Sequence, residues 1–143
     1  MAVSSKALWT CPKCKRKFRK RNQVHSCRAY PLRNHFKGKE KVAKPLFTYL
    51  KDKIKEGVGN FKVVSLECCI HLETPTALAF AGVYVLRDRI RVFFLLDHEL
   101  KSHRIYKFTK MSKSRYIYTV DIKDKGEIDT ELLSWLSQAY NAG

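Results

Sequence analysis

Residues 61–97 read FKVVSLECCIHLETPTALAFAGVYVLRDRIRVFFLLD, a series of β-branched and aromatic runs broken by turn-forming residues. Such runs build strands. They predict strands near 61–69, 76–86 and 90–97, with Arg87-Asp88-Arg89 as a tight hairpin connection between the second and third. Working outward toward the C-terminus, further strands are expected near 104–109 and 115–122. In the last of these, Tyr116, Tyr118, Val120 and Ile122 alternate with Ile117, Thr119 and Asp121. Asp129 then reads as an N-cap and Glu131 suits a first turn. Leu132, Leu133, Leu136, Ala139 and Tyr140 make the apolar stripe of a closing helix. Toward the N-terminus, Val42, Leu46, Leu50 and Ile54 recur every fourth residue, which marks an amphipathic helix with Pro45 in its first turn and Gly57 and Gly59 at its end. The expectation is an α+β domain: a helix, a five-stranded and mainly antiparallel meander, and a C-terminal helix.

Ahead of this domain, Cys11-Pro12-Lys13-Cys14 is followed after ten residues by His25-Ser26-Cys27. A C-x-x-C turn aims both sulfurs at one point, and zinc prefers tetrahedral thiolate and imidazole donors. Cys11, Cys14, His25 and Cys27 are therefore the expected ligands of a structural Zn2+. The H-x-C spacing is shorter than the usual three to five residues between finger ligands, so the second pair must lie in a bent, knuckle-like segment, with His35 as a reserve ligand. Four protein ligands describe a closed site, whereas a catalytic zinc keeps a position open for water. Residues 1–30 hold too few large apolar side chains for a core, and a structural zinc supplies about 10–16 kcal/mol, the scale needed to order such a piece. A redox C-x-x-C pair needs a strand before it and a helix after it, and neither is written here. The chain thus divides into a zinc-knuckle module at 1–30 and the α+β domain at 31–143, within the length that one ordinary domain and a small module require.

The charge is unevenly placed. Residues 1–60 hold 17 Lys and Arg against 3 Asp and Glu, and residues 61–143 hold 12 against 10, so the +16 of the whole chain is split as +14 and +2. Lys13, Lys15, Arg16, Lys17, Arg19, Lys20 and Arg21 lie between or beside the metal ligands, with Arg28, Arg33 and Lys37 continuing the series. Solvated faces mix both signs, and this segment has almost no acids. The pattern points to a polyanion, with nucleic acid ahead of anionic membrane.

Five cysteines, an odd number, and no apolar leader near Met1 point to a reducing, cytoplasmic compartment. The longest apolar run, Ala77 to Leu86, is too short to span a bilayer. Cys68 and Cys69 fall in a strand-like stretch and read as one or two small buried hydrophobes. For catalysis, Asp97-His98-Glu99-Leu100-Lys101 resembles a nuclease acid cluster, with Asp88 as the upstream acid. Asp88 sits in a hairpin turn about 25–35 Å from Glu99 along the strand, too far for two-metal chemistry. Arg104, Tyr106, Lys107, Phe108, Lys110, Lys113, Arg115, Tyr116 and Tyr118 interleave cations with aromatics, but alternate aromatics in strands are expected to point into the core.

Trp9-x-Cys11-Pro-x-Cys14, Asn22-Gln23-x-His25-Ser-Cys27, His35-Phe36-x-Gly38-Lys39, Leu46-Phe47 and Trp135-Leu136-x-x-Ala139-Tyr140 together resemble members of the bacterial domain of unknown function five-six-five-five family in which a zinc-knuckle segment precedes the domain. The resemblance runs from about Trp9 to Tyr140. It implies the single-domain layout and the ligand assignment, and no activity, since none is established for the family. Its members often have Gly after the second metal cysteine, where this chain has Lys15. The function expected from the residues is non-enzymatic nucleic-acid binding through a zinc-ordered Lys/Arg loop. The alternatives are an adaptor that docks an acidic protein and a metal-dependent hydrolase.

Overall fold

Leu46, Leu50 and Ile54 do share one face of a helix, with Val42 at the N-cap just ahead of it. In a computed structural model, which describes residues 8–22, 25, 27 and 30–142, α1 spans Ala43–Gly57, and Leu46, Phe47, Leu50 and Ile54 are all buried. Pro45 stands in the first turn, where no intrahelical acceptor is needed for its missing N–H. The chain leaves the helix through Val58 and Gly59, whose amides both donate to the Ile54 carbonyl, at 2.8 and 3.0 Å.

Two short strands, β1 (Trp9–Thr10) and β2 (Lys17–Phe18), form an antiparallel ribbon at the N-terminus. The main sheet contains β3 (Lys62–Ser65), β4 (Ile70–Glu73), β5 (Ala79–Val85), β6 (Ile90–Leu96), β7 (Ile105–Ser112) and β8 (Arg115–Ile122). Its strand order is β3-β4-β5-β6-β8-β7, antiparallel throughout. The closing helix α2, Thr130–Asn141, is capped by Asp129, whose carboxylate accepts the Leu132 amide at 3.0 Å.

The sheet therefore has six strands where the sequence predicts five, because the strand expected at 61–69 ends at Ser65 and a further strand, β4, fills Ile70–Glu73, between the stretches expected at 61–69 and 76–86. A reversal at 66–69 separates β3 from β4, closed by the Leu66 amide donating to the Cys69 carbonyl at 2.9 Å. Its residues, Leu66-Glu67-Cys68-Cys69, include no Gly, Pro or Asn to announce a turn. Cys69 is buried as expected, but Cys68 sits exposed in the reversal.

Nor is the sheet a meander. β8 inserts between β6 and β7, and the pairs Ile90–Ile122, Val92–Val120, Phe94–Tyr118 and Leu96–Tyr116 lie side by side on the core face. This order buries the two most apolar strand faces together and leaves the lysine-bearing β7, exposed along nearly its whole length, at the edge. The crossing chain between β6 and β7 is pinned at both ends. The Tyr118 hydroxyl accepts the Leu100 amide at 2.7 Å. Arg104 donates to Asp129 at 3.0 Å, to Glu131 at 2.9 Å and to the Glu127 carbonyl at 2.6 Å.

Both helices cover the face formed by Ile70, Leu72, Ala81, Val83, Val92, Phe94, Tyr118 and Val120, with Phe94 stacked on Trp135 at 5.8 Å. The opposite face carries His71, Gly82, Phe93, Arg91, Thr119 and Asp121. Among the described residues no helix is long and apolar enough to cross a membrane.

Candidate metal centre

The β1–β2 ribbon builds the first half of the metal centre. The Cys11 amide donates to the Arg16 carbonyl and the Lys15 amide to the Cys11 carbonyl, each at 2.9 Å, so the chain wraps tightly around the Cys11 sulfur. Lys15 closes this wrap with φ 66°, the left-handed conformation that glycine adopts without cost. Backbone amides, first that of Cys14 and then that of Lys13, hydrogen-bond the Cys11 sulfur and pull its thiol down to about 6 against opposing desolvation. This lowering favours the thiolate, the form that binds metal, whereas burial raises the neighbouring Cys27 thiol.

His25 and Cys27 complete the group. The His25 ring packs on Phe18 at 4.1 Å between centroids and edge-on to Trp9 at 6.2 Å, and Phe18 is buried. These two aromatics, paired across the ribbon, turn the imidazole toward the cysteines. Its Nε2 lies 3.4 Å from both the Cys14 and Cys27 sulfurs, and the Cys11 and Cys27 sulfurs are 3.7 Å apart. All four donor atoms fall within 4.8 Å of one another, so Cys11, Cys14, His25 and Cys27 could hold one metal ion.

His35 is not part of this group. It is buried, its ring sits edge-on to Tyr30 at 4.8 Å, and Nε2 has no hydrogen-bond partner among the described residues. Burial lowers its pKa and keeps it neutral.

The basic residues divide by role. Lys13, Lys15, Lys17, Lys20 and Arg21 are exposed around the metal group. Arg16 and Arg19 instead reach the α+β domain. Arg16 lies over the Phe18 ring at 4.8 Å and 3.7 Å from the Glu73 carboxylate. Arg19 donates to the Thr76 carbonyl and hydroxyl, each at 2.9 Å. Arg33 and Lys37 are exposed on and just after a separate 3-10 turn at Leu32–Phe36. Arg28 lies outside the described residues.

Where the knuckle meets the sheet, it encloses one end of the helix-free face in a cleft of about 920 Å³. Arg16, Arg19, Lys20 and Tyr30 line it from the knuckle side, and His71 and Arg115 from the sheet. His71 is a cleft residue that sequence reasoning missed, and Arg115, read there as part of the interleaved patch, joins it, since only strand parity and the docking of the knuckle bring the two to one place.

The nuclease-like acids do not converge. Asp88 pairs with Arg89 at 3.1 Å, and Asp97 with His98 at 2.8 Å. Among the described residues, Cys11, Cys14, His25 and Cys27 are the single group of three or more side chains placed to hold a metal. In the interleaved cation and aromatic patch, Tyr116 and Tyr118 are buried, but Tyr106 and Phe108 are 58% and 57% exposed, because β7 projects past the helices.

Comparison with curated proteins and with solved structures found no match. A family model, Domain of unknown function (DUF5655), matches residues 33–143, with the Cys11–Cys27 segment lying ahead of the match. The chain belongs to the DUF5655 family.

Proposed function

We propose that this chain is a non-enzymatic, zinc-ordered nucleic-acid-binding protein of the reducing cytoplasm, in which the metal fixes a loop whose cations neutralise phosphates. The observation that carries the reading is the placement of Lys13, Lys15, Lys17, Lys20 and Arg21 on the exposed rim of a four-donor metal group.

Zinc suits that group. Tetrahedral zinc with bonds of about 2.3 Å to sulfur and about 2.0–2.1 Å to nitrogen needs S···S edges of about 3.8 Å and S···N edges of about 3.6 Å. Three of the six donor spacings, one of 3.7 Å and two of 3.4 Å, lie close to these edges, and all six fall within 4.8 Å. Three thiolates and one imidazole are a soft donor set that disfavours calcium and magnesium. Bound zinc would lock the loop and leave no position for a catalytic water.

Arg16 and Arg19 contribute by orienting the loop against the domain, and the exposed lysines supply the phosphate contacts. Such contacts release counterions and carry no sequence readout. Fluorescence anisotropy of zinc-loaded protein with labelled oligonucleotides across a salt series tests the reading, with metal content measured in parallel. The expected slope corresponds to about four to seven phosphate contacts, and Cys27→Ser weakens binding. Retention by polyglutamate with no affinity for polynucleotides at low salt would replace this reading with an adaptor for an acidic protein.

A further inference from the structure

We infer that the helix-free face of the sheet is a platform for single-stranded nucleic acid, with the Phe93 ring as a stacking surface and the cleft beneath the knuckle receiving the adjoining sugar-phosphate chain. This rests on the polyanion reading of the knuckle.

His71, Gly82, Phe93 and Thr119 occupy one row across β4, β5, β6 and β8. A side chain in a strand ordinarily stands away from the sheet. Phe93 instead lies down over Gly82, so closely that a Cβ on that glycine would meet the ring at 2.1 Å. The ring thus lies across the sheet surface, half-buried. His71 packs edge-on to it at 6.0 Å, and Tyr84, 43% exposed, is tilted against it at 5.3 Å. In the next row the Arg91 guanidinium covers the Tyr106 ring at 4.2 Å, Arg89 and Arg91 both pair with Asp121, and Arg89 also pairs with Asp88. The platform is aromatic with its two arginines balanced by two carboxylates, and it runs into the cleft, where Arg16, Arg19, Lys20 and Arg115 outnumber Glu67 and Glu73.

The occupant follows from that combination. Half-exposed aromatic rings beside a cationic cleft match unpaired bases joined by phosphates. A duplex keeps its base faces stacked and could touch only the cations. A second copy would bring one cationic cleft against another, and an acidic peptide would leave the rings without a stacking partner.

Anisotropy titrations of the full zinc-loaded chain against a single-stranded oligonucleotide and a duplex of the same length test the assignment. The variants are Phe93→Leu and the exposed Tyr84→Ala, with zinc content and unfolding midpoint as folding controls. The expected result is tighter binding of the single strand, weakened about five- to 150-fold by Phe93→Leu, with duplex binding unchanged. A photoreactive pyrimidine in the strand should crosslink to the peptide carrying Phe93 or to that carrying Tyr84. Equal affinity for strand and duplex, indifferent to both variants, would overturn the platform and leave the knuckle reading standing. Absence of binding to either would overturn both. Should Phe93→Leu fail to fold, Tyr84→Ala and the crosslink decide.

Discussion

Arg19 and Thr76 join the metal knuckle to the sheet domain through two hydrogen bonds of 2.9 Å, one to the backbone carbonyl and one to the hydroxyl. Arg16 adds a second tie at Glu73. The knuckle has no apolar core of its own to dock with, so two guanidinium groups do what a hydrophobic interface does elsewhere. Arg19→Ala is expected to speed tryptic cleavage within residues 8–22 and to leave the unfolding midpoint of the domain unchanged. Unaltered cleavage would show that the hydrogen bonds do not hold the knuckle.

Glu73 is buried, and desolvation raises its pKa against the opposing charge of Arg16. A carboxyl whose folded pKa is raised contributes stability at low pH and loses it as pH rises through the folded value. Glu73→Gln is therefore expected to hold or raise domain stability at pH 7 while loosening the knuckle. Calorimetry at pH 5 and pH 7, paired with hydrogen exchange of residues 8–22, checks both halves.

Removing the metal should act on the knuckle alone. The core joins α1, α2 and the sheet and includes no metal ligand. Chelation of the metal or Cys14→Ser is expected to abolish amide protection around Cys11 to Phe18 and to leave the strands of the main sheet protected. Simultaneous loss of protection in both would mean that the domain depends on the metal.

Lys15 takes a left-handed conformation that costs a non-glycine residue about 1 kcal/mol, partly offset in a Lys15→Gly change by the freer unfolded chain. The variant should stabilise the knuckle by a few tenths to about 1 kcal/mol and tighten metal retention in competition with a chromogenic chelator. In the salt series it should lower the slope by about one contact.

Gly82 has no room for a side chain beneath Phe93. Gly82→Ala must lift that ring, at about 1–3 kcal/mol by analogy with overpacked cores. Denaturant melts measure the cost, and the same variant should impair single-strand binding in proportion to the displacement of the ring.

Asp121 accepts from Arg91 at 2.6 and 3.1 Å and from Arg89 at 3.1 Å, and these bonds, Arg91 first, hold its carboxyl below the usual range. A lowered folded pKa contributes stability above the ordinary aspartate value of about 3.9, lost as pH falls through the folded value. Asp121→Asn should cost about 1–2 kcal/mol at pH 7, between exposed and buried pairs. The gap to the parent protein should narrow below about pH 4 and close once Asp121 is protonated.

What was legible from the residues was local. The fourfold spacing of Val42, Leu46, Leu50 and Ile54, the Asp129 cap and the alternation from Tyr116 to Ile122 each report a period or a cap that neighbouring residues impose on the backbone. The four metal donors were legible for the same reason, because C-x-x-C geometry is set within a few residues. Three features depended on contacts between distant segments. β8 lies between β6 and β7 because that order buries two apolar strand faces together, a comparison of pairings that no single strand encodes. Arg16 and Arg19 read as phosphate ligands until their partners, Glu73 and Thr76, come into reach from more than fifty residues away. Gly82 alone carries a local hint, since a glycine inside a strand marks close approach by another group. That the group is Phe93 follows from strand register, which is fixed by the burial of a whole sheet face and not by either residue.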